Sequence, residues 1–532
     1  MDPMSLVFRM CGYFVKLIWK ILRYTGLLFT LLGIIGSVIV IECFANMLGN
    51  RVSAARVWDA IFTVCMIVSF IPALYIFSQN IIRIVKKDFA WSEVIANRKG
   101  SDIGFLSKEK GVAANDVHGI VFGKKGNKYI TQTEETDGHT MVVGGAGSGK
   151  TTGVIIPTLQ SWQGRTLFID IKPELYDASI KARGEDNVKV FDPTDRYAYG
   201  YDPLYMLRNS DNPSQDAHMI ADILIPVPVG SNADPVWAKG AQSIFVAAAL
   251  YYINDDPGIS FAELIKKIRL KAPADLIDMI AESDNELAKM EITDKIGADA
   301  KTIASFSSEL QSLAIFASDT QLVSALDNSR YVITPDTIND YDVCLRIREE
   351  KLNVWAKLLN LIVSQFLASF ERRPNNNNLS TLVCIDECPR LGKIGSLEHG
   401  LATLRSKGIK MLLVCQSKSQ FDNIYGKDET KSIFDNCSRK VILRSTEPET
   451  QKYLSDMVGT YDKKTKSRNA NTNAYGMASG SGVSYSEQEK RIIKPEEFAY
   501  LGDDLIYLSP NGYDRLTKIK CWQDAPFMDY MA

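Results

Sequence analysis

Apolar positions fall on two different scales along this chain. Residues 25–41 (TGLLFTLLGIIGSVIVI) carry no charge and run on past Glu42 into CFANML, and residues 60–77 (AIFTVCMIVSFIPALYIF) form a second uncharged run. Both are apolar on every face and approach the roughly 20 residues that a membrane-crossing helix needs. The pattern therefore predicts two spans, about 25–47 and 60–80, within an amino-terminal anchor of residues 1–90. A signal peptide fits less well, because the first run starts late, lacks a small-residue cleavage pattern and is soon followed by another span. Beyond residue 90, short apolar runs alternate with longer runs of helical period, as in parallel strands joined by crossover helices. The predicted strands are 140–143, 166–169, 188–191, 343–347, 381–385, 410–415, 440–444 and 504–508, which makes the fold class α/β. Between about 210 and 340 the period is helical. AELIKKIRL, APADLIDMIAES and TIASFSSELQSLAIF read as successive amphipathic helices and predict an all-α insertion over 255–330. Residues 461–489, rich in Ser, Gly, Asn and Lys and without an apolar period, are expected to form a flexible loop. No internal repeat is visible.

Composition changes this picture little, and the placement of charge changes it more. A chain of 532 residues, 46% of them hydrophobic, can bury several cores. The net charge of -2 shows no excess of either sign that would mark a nucleic-acid binder. Nine cysteines are scattered without a disulfide framework or C-x2-C zinc pairs, which points to reduced thiols in a cytoplasmic body. Cys384 and Cys388 have no accompanying Cys or His pair, so they are read as structural. Arg9, Lys16, Lys20 and Arg23 precede the first span and Arg83, Lys86 and Lys87 follow the second. The connection between spans holds only Arg51 and Arg56, so both termini and the body are expected in the cytoplasm. Two basic clusters, Lys266, Lys267, Arg269 and Lys271, then Lys463, Lys464, Lys466 and Arg468, could meet nucleic-acid phosphates; a solvated face is the plainer reading.

The candidate chemistry is a phosphate-binding loop. GGAGSGKT, from Gly144 to Thr151, fits G-x-x-x-x-G-K-[ST], follows an apolar strand and opens a helix-compatible run that begins Thr151, Thr152. Backbone N–H groups from Gly144 through Gly145, Ala146, Gly147, Ser148 and Gly149 can turn inward on phosphate oxygens, and the glycines permit the close approach that a β-carbon would obstruct. Lys150 supplies a point charge for the β- and γ-phosphates of ATP, the Thr151 hydroxyl is a ligand for Mg2+, and the helix start aims its positive end at the anion. The second half of such a site is an acid at the end of another buried strand. TLVCIDE provides Asp386 for the metal and Glu387 to polarise the attacking water.

Taken in order, the motifs resemble the VirD4/TraG/TraD-type coupling ATPases of type IV secretion and conjugation systems. The resemblance runs through GHTMVVGGAGSGKTTGVIIPTL, IDIKPE, VFDP, YDPL, DPVWAKGAQSIF and IDECPRLGKIGSLEHGLATLRSKGIKMLLVCQSKSQ to IFDNC, TEPETQKYLSDMVG and RIIKPEEFAYL. It departs at Ala146, where Thr is common, at Cys388 in place of Phe, and at Asp202 where Asn is usual; none removes a catalytic group. The resemblance implies a RecA-like P-loop NTPase domain, its first part over 91–254 and its second over 331–532, on either side of the all-α insertion and behind the two-helix transmembrane hairpin. It also implies that Arg405 reaches the nucleotide of a neighbouring subunit and that Gln416 senses the γ-phosphate. From the residues alone, Arg405 reads as a surface arginine on a helix. The implied assembly is a homo-oligomer, a hexameric ring in the bacterial inner membrane. Its implied partners are type IV secretion channel components and a relaxosome with single-stranded DNA, effector proteins, or both. Two other functions stay open at this point: a cargo receptor whose nucleotide site controls assembly only, and an FtsK-like DNA translocase. The order of the motifs disfavours the translocase, and Glu387 argues against a purely structural nucleotide site.

Overall fold

A computed structural model describes residues 109–227, 235–329, 331–375, 379–472 and 478–530. The two expected spans lie outside the described residues. Among the described residues, no helix is long and apolar enough to cross a membrane.

The described residues hold fifteen strands: β1 (Ile120–Lys125), β2 (Lys128–Gln132), β3 (Thr140–Val143), β4 (Arg165–Asp170), β5 (Val188–Phe191), β6 (Gly200–Tyr201), β7 (Val332–Ile333), β8 (Asp342–Arg346), β9 (Thr381–Ile385), β10 (Ile409–Cys415), β11 (Arg439–Ile442), β12 (Thr460–Thr472), β13 (Ala478–Arg491), β14 (Asp504–Ser509) and β15 (Gly512–Thr517). Eleven of them form one sheet in the order β2-β1-β15-β14-β11-β3-β10-β9-β4-β8-β5. From β11 to β5 every neighbouring pair is parallel. From β11 outward through β14, β15, β1 and β2 every pair is antiparallel.

The parallel strands read as unbroken apolar runs because both faces of the sheet are covered. Every residue of β3, β9 and β10 is buried. Their side chains still alternate. Met141, Val143, Val383, Ile385, Leu413 and Cys415 join one core, while Val142, Leu382, Cys384, Leu412 and Val414 join the other. The second core is closed by the helices Ile156–Ser161 and Glu174–Arg183, through Leu159, Leu175 and Ala178. The first is closed by Glu349–Glu371 and by Pro235–Asp255, a helix with buried residues all around it.

Between Phe261 and Ala325 the described elements are helices. Ser260, Asn285 and Asp319 cap three of them by accepting from Glu263 N, Ala288 N and Gln321 N. Their apolar residues, including Leu264, Ile277, Ile292, Phe306 and Leu322, continue the core beneath the sheet rather than forming a separate one.

Residues 461–489, expected to form a flexible loop, lie within a two-stranded ribbon: β12 and β13 pair antiparallel from Thr460 opposite Arg491 to Thr472 opposite Ala478, separate from the large sheet. Ladder hydrogen bonds belong to the main chain, so a ribbon needs no apolar period of the kind that marks a half-buried strand. The same absence of a long apolar run hides β1, β2 and β15 from a reading of the sequence.

Candidate nucleotide site

The loop from Gly144 to Thr151 leaves the carboxyl end of β3, where open α/β sheets bind ligands. Its shape is fixed by its neighbours. Gly144 N donates to Cys415 O at 3.1 Å and Gly145 N to Arg444 O at 2.8 Å, so the loop is pinned to the ends of the two strands flanking β3. A β-carbon on Gly144 would lie 2.5 Å from Ser148 Oγ and 2.7 Å from Leu443 Cβ, too close for any side chain. Gly149 sits at φ 92°, in the left-handed region. After Lys150 the first turn is wound wide, as a π turn over Thr151–Ile155, with Ile156 N donating to Thr151 O.

Lys150 is 7% exposed and donates from Nζ to Gly144 O at 2.8 Å and Gly145 O at 3.3 Å. It also lies 3.6 Å from Glu387 Oε1. That same oxygen accepts from Gln416 Nε2 at 3.0 Å. The strand order explains why these three meet. The chain passes from β3 to β4 over a gap that β10 and β9 fill, so Gln416, just beyond β10, stands between the P-loop strand and the strand that ends before Asp386.

Glu387 is the one non-glycine residue with positive φ among the described residues, at 51°. Such a conformation persists only where the surroundings impose it, and it turns the carboxylate back toward Lys150. Its Oε2 is buried without a partner, as is Ser148 Oγ. Asp386 accepts from Glu387 N at 3.0 Å. Burial, then the Glu387 charge, raises its carboxyl to about 6, against the pull of Lys150 and Lys172. Buried oxygens without partners and a carboxyl that resists ionisation are what a divalent cation and phosphate oxygens would relieve, so the donor set fits a magnesium nucleotide.

Arg405 is not part of this cluster. It lies on the turn Leu404–Lys407, which leads into the amino end of β10, whereas Gln416 follows the carboxyl end. The seven residues of β10 put it roughly 23 Å away along the strand. Its side chain is 62% exposed, with Nε 3.3 Å from Asp137 Oδ2.

The rim beside the site holds further charged residues, outside the motifs that mark the loop and its acidic pair. A cavity of about 460 Å³ opens along the ends of β4, β5 and β8, lined among others by Asp170, Lys172, Asp192, Arg346 and Glu349. Asp170 accepts from Tyr176 N at 3.0 Å, which caps the helix Glu174–Arg183, and burial raises its carboxyl to about 7. Arg346 Nε donates to Asp192 Oδ2 at 2.8 Å. The signal for these residues is the one that marked Asp386: a charged residue directly after a buried run, here TLFIDIK. Cys384, Cys388 and Cys415 are buried free thiols, each held up by burial.

The sheet order and the loop define a RecA-like P-loop fold. The chain belongs to the family described as Type IV secretory system Conjugative DNA transfer, whose profile matches residues 87–530. It is 26% identical over 435 residues to the protein VirD4 of Agrobacterium fabrum, and 23% identical over 436 residues to a conjugal transfer protein TraG of Escherichia coli. The VirD4 match covers 77% of this chain and 63% of that relative's length; the TraG match covers 74% and 68%. In three dimensions it is similar to the bacterial conjugative coupling protein TrwB, with a TM-score of 0.58 at 16% identity over 71% of this chain and 84% of that one. A structure of TrwB in complex with ADP and Mg2+ is similar at a TM-score of 0.56, with 16% identity over 72% and 85% of the two chains.

Proposed function

We propose that this chain is a membrane-anchored, Mg2+-dependent ATPase that couples a relaxase–DNA complex, an effector protein or both to a type IV secretion channel. The observation that carries the chemistry is the convergence of Lys150, Glu387 and Gln416 at the carboxyl end of the sheet. In this reading the P-loop amides and Lys150 cradle the phosphates of ATP. Thr151 and Asp386 would hold Mg2+, which, when bound, neutralises charge on the β- and γ-phosphate oxygens. Glu387 exchanges its contact with Lys150 for one with the attacking water, and Gln416 orients that carboxylate. Positioning and charge compensation do the work, because phosphoryl transfer asks for little covalent chemistry from the protein.

Arg405 cannot reach its own chain's phosphates from the far end of β10, which supports a role at the site of a neighbouring copy in a hexameric ring. Residues 1–90 then anchor the ring in the inner membrane with the body in the cytoplasm, and the helices over 255–330 form an insertion domain that recruits cargo. The name and description of the family, and the VirD4, TraG and TrwB relatives, support this assignment.

The test is the ATPase rate of the full chain with and without single-stranded DNA. Turnover that requires Mg2+, rises with DNA at low salt and loses that rise steeply as salt increases is the expected result. No DNA stimulation at low salt would leave a protein as the sole cargo, and no Mg2+-dependent turnover would sink the enzymatic reading.

A further inference from the structure

The turn that precedes β3 is held more firmly than an exposed turn requires. Gln132, 1% exposed, donates from Nε2 to Thr136 O at 2.9 Å and to Gly138 O at 2.8 Å. Arg439, 8% exposed, donates from Nη1 to Asp137 O at 2.8 Å, and its own N donates to His139 O at 3.2 Å. From the other side, Met411 N donates to His139 Nδ1 at 3.0 Å. Two buried polar side chains and the start of β11 therefore fix the backbone of residues 136–139, and β10 holds the His139 ring. What this frame offers to solvent is one carboxylate, Asp137, 63% exposed, and it meets Arg405.

Asp137 Oδ2 and Nε of Arg405, on the inner edge of the guanidinium, form an ion pair at 3.3 Å. The guanidinium carries further donors on Nη1 and Nη2 for a second anion. His139, beside the pair, adds no competing charge near neutral pH, because burial first, then the charges of Lys410 and Arg405, lowers its pKa to about 4. Leu404, next to Arg405, is fully buried and anchors the other partner's turn.

We propose that Asp137 is a positioning residue for Arg405: it holds the guanidinium by its inner edge so that the outer amines are presented to the nucleotide of the neighbouring subunit. This rests on the reading of Arg405 as a residue that acts in trans. Asp137 and the P-loop lie at opposite ends of β3, with only its four residues, Gly138 and His139 between them. One strand thus links a subunit's own nucleotide loop to the residue that aims its arginine at the next subunit.

The test is steady-state ATPase kinetics of the full chain carrying D137N, D137E, R405A and the double variant D137N/R405A. D137N is expected to lower kcat roughly ten- to a hundredfold, the range of a misplaced catalytic group, with KM for ATP within about twofold of the parent. D137E restores most of the rate, and the double variant is no slower than R405A, because the carboxylate acts only through the arginine. Raising salt closes the gap between parent and D137N, since an exposed ion pair is screened. The parent's thermal midpoint should be retained in D137N, as both partners are exposed. A slow R405A beside a D137N of parental kcat would overturn the positioning role alone, as would a double variant as slow as the product of the two single losses. An R405A of parental kcat would overturn the trans reading and the proposal with it.

Discussion

Replacing Asp386 by Asn separates what this carboxylate would give to MgATP binding from what it costs the fold. Its carboxyl is raised from 3.8 to about 6 by burial and by the adjacent Glu387. At about 1.4 kcal/mol per pH unit, keeping it ionised in the metal-free folded chain costs up to about 3 kcal/mol relative to the unfolded chain. Asp386 is partly exposed, so solvent screening brings the figure nearer to about 2 kcal/mol. Below pH 3.8 the group is protonated in both states and the cost vanishes. It grows as pH rises through that value and is complete above about 6, where the folded group ionises as well. Asn has nearly the shape of the neutral acid and no charge to desolvate. D386N should therefore match the parent's thermal midpoint near pH 4 and exceed it at pH 8 by roughly 2–4 °C for a chain of this size. MgATP should reverse the order. Saturation at about a hundred times Kd would stabilise the parent by roughly 2.7 kcal/mol, and D386N, without the carboxylate proposed to hold the metal, should gain much less. Differential scanning fluorimetry at pH 4 and pH 8, with and without MgATP, reads all four states. A D386N midpoint at or below the parent's at pH 8 without nucleotide would contradict the desolvation cost, and an equal gain from MgATP would remove Asp386 from the metal site.

Four further outcomes follow from the same geometry. Lys150→Ala removes the ammonium now held by Gly144 O and Gly145 O, and should abolish binding of a fluorescent ATP analogue; retained turnover would sink the P-loop assignment. Glu387→Gln keeps the left-handed backbone and a hydrogen-bonding side chain, so nucleotide affinity should stay within a few fold while kcat falls roughly a hundred- to ten-thousandfold. Gly144→Ala places a methyl 2.5 Å from Ser148 Oγ and 2.7 Å from Leu443 Cβ, and should destabilise by about 1–3 kcal/mol in thermal melts besides weakening nucleotide binding. Mixing Arg405→Ala with Glu387→Gln subunits should restore some ATPase activity, and its absence in oligomers shown to be mixed would count against a shared site.

How legible the site was depends on how local each signal is. The strands at 140–143, 188–191 and 381–385 agree with the structure to the residue; the first and last are buried throughout and so must be written as short apolar runs. The phosphate loop is equally local: its glycines are demanded by φ angles and close approaches within eight consecutive residues. So is the acidic pair that ends TLVCI. The ribbon of β12 and β13 escaped because its strands pair only with each other and show no core-facing period.

What the tertiary structure alone decided is which distant residues share a place. Lys150, Glu387 and Gln416 lie far apart in sequence and meet because β10 and β9 are inserted between β3 and β4, an order set by long-range pairing that no local pattern encodes. The same order carries Arg405 to the opposite end of β10 from Gln416 and seats it against Asp137, an exposed residue in a turn that nothing in its own neighbourhood of sequence distinguishes. The sequence marks a loop of the phosphate-binding pattern and the strands that carry its candidate partners, since burial and backbone angle are local demands; the partnership of those groups is a product of strand order.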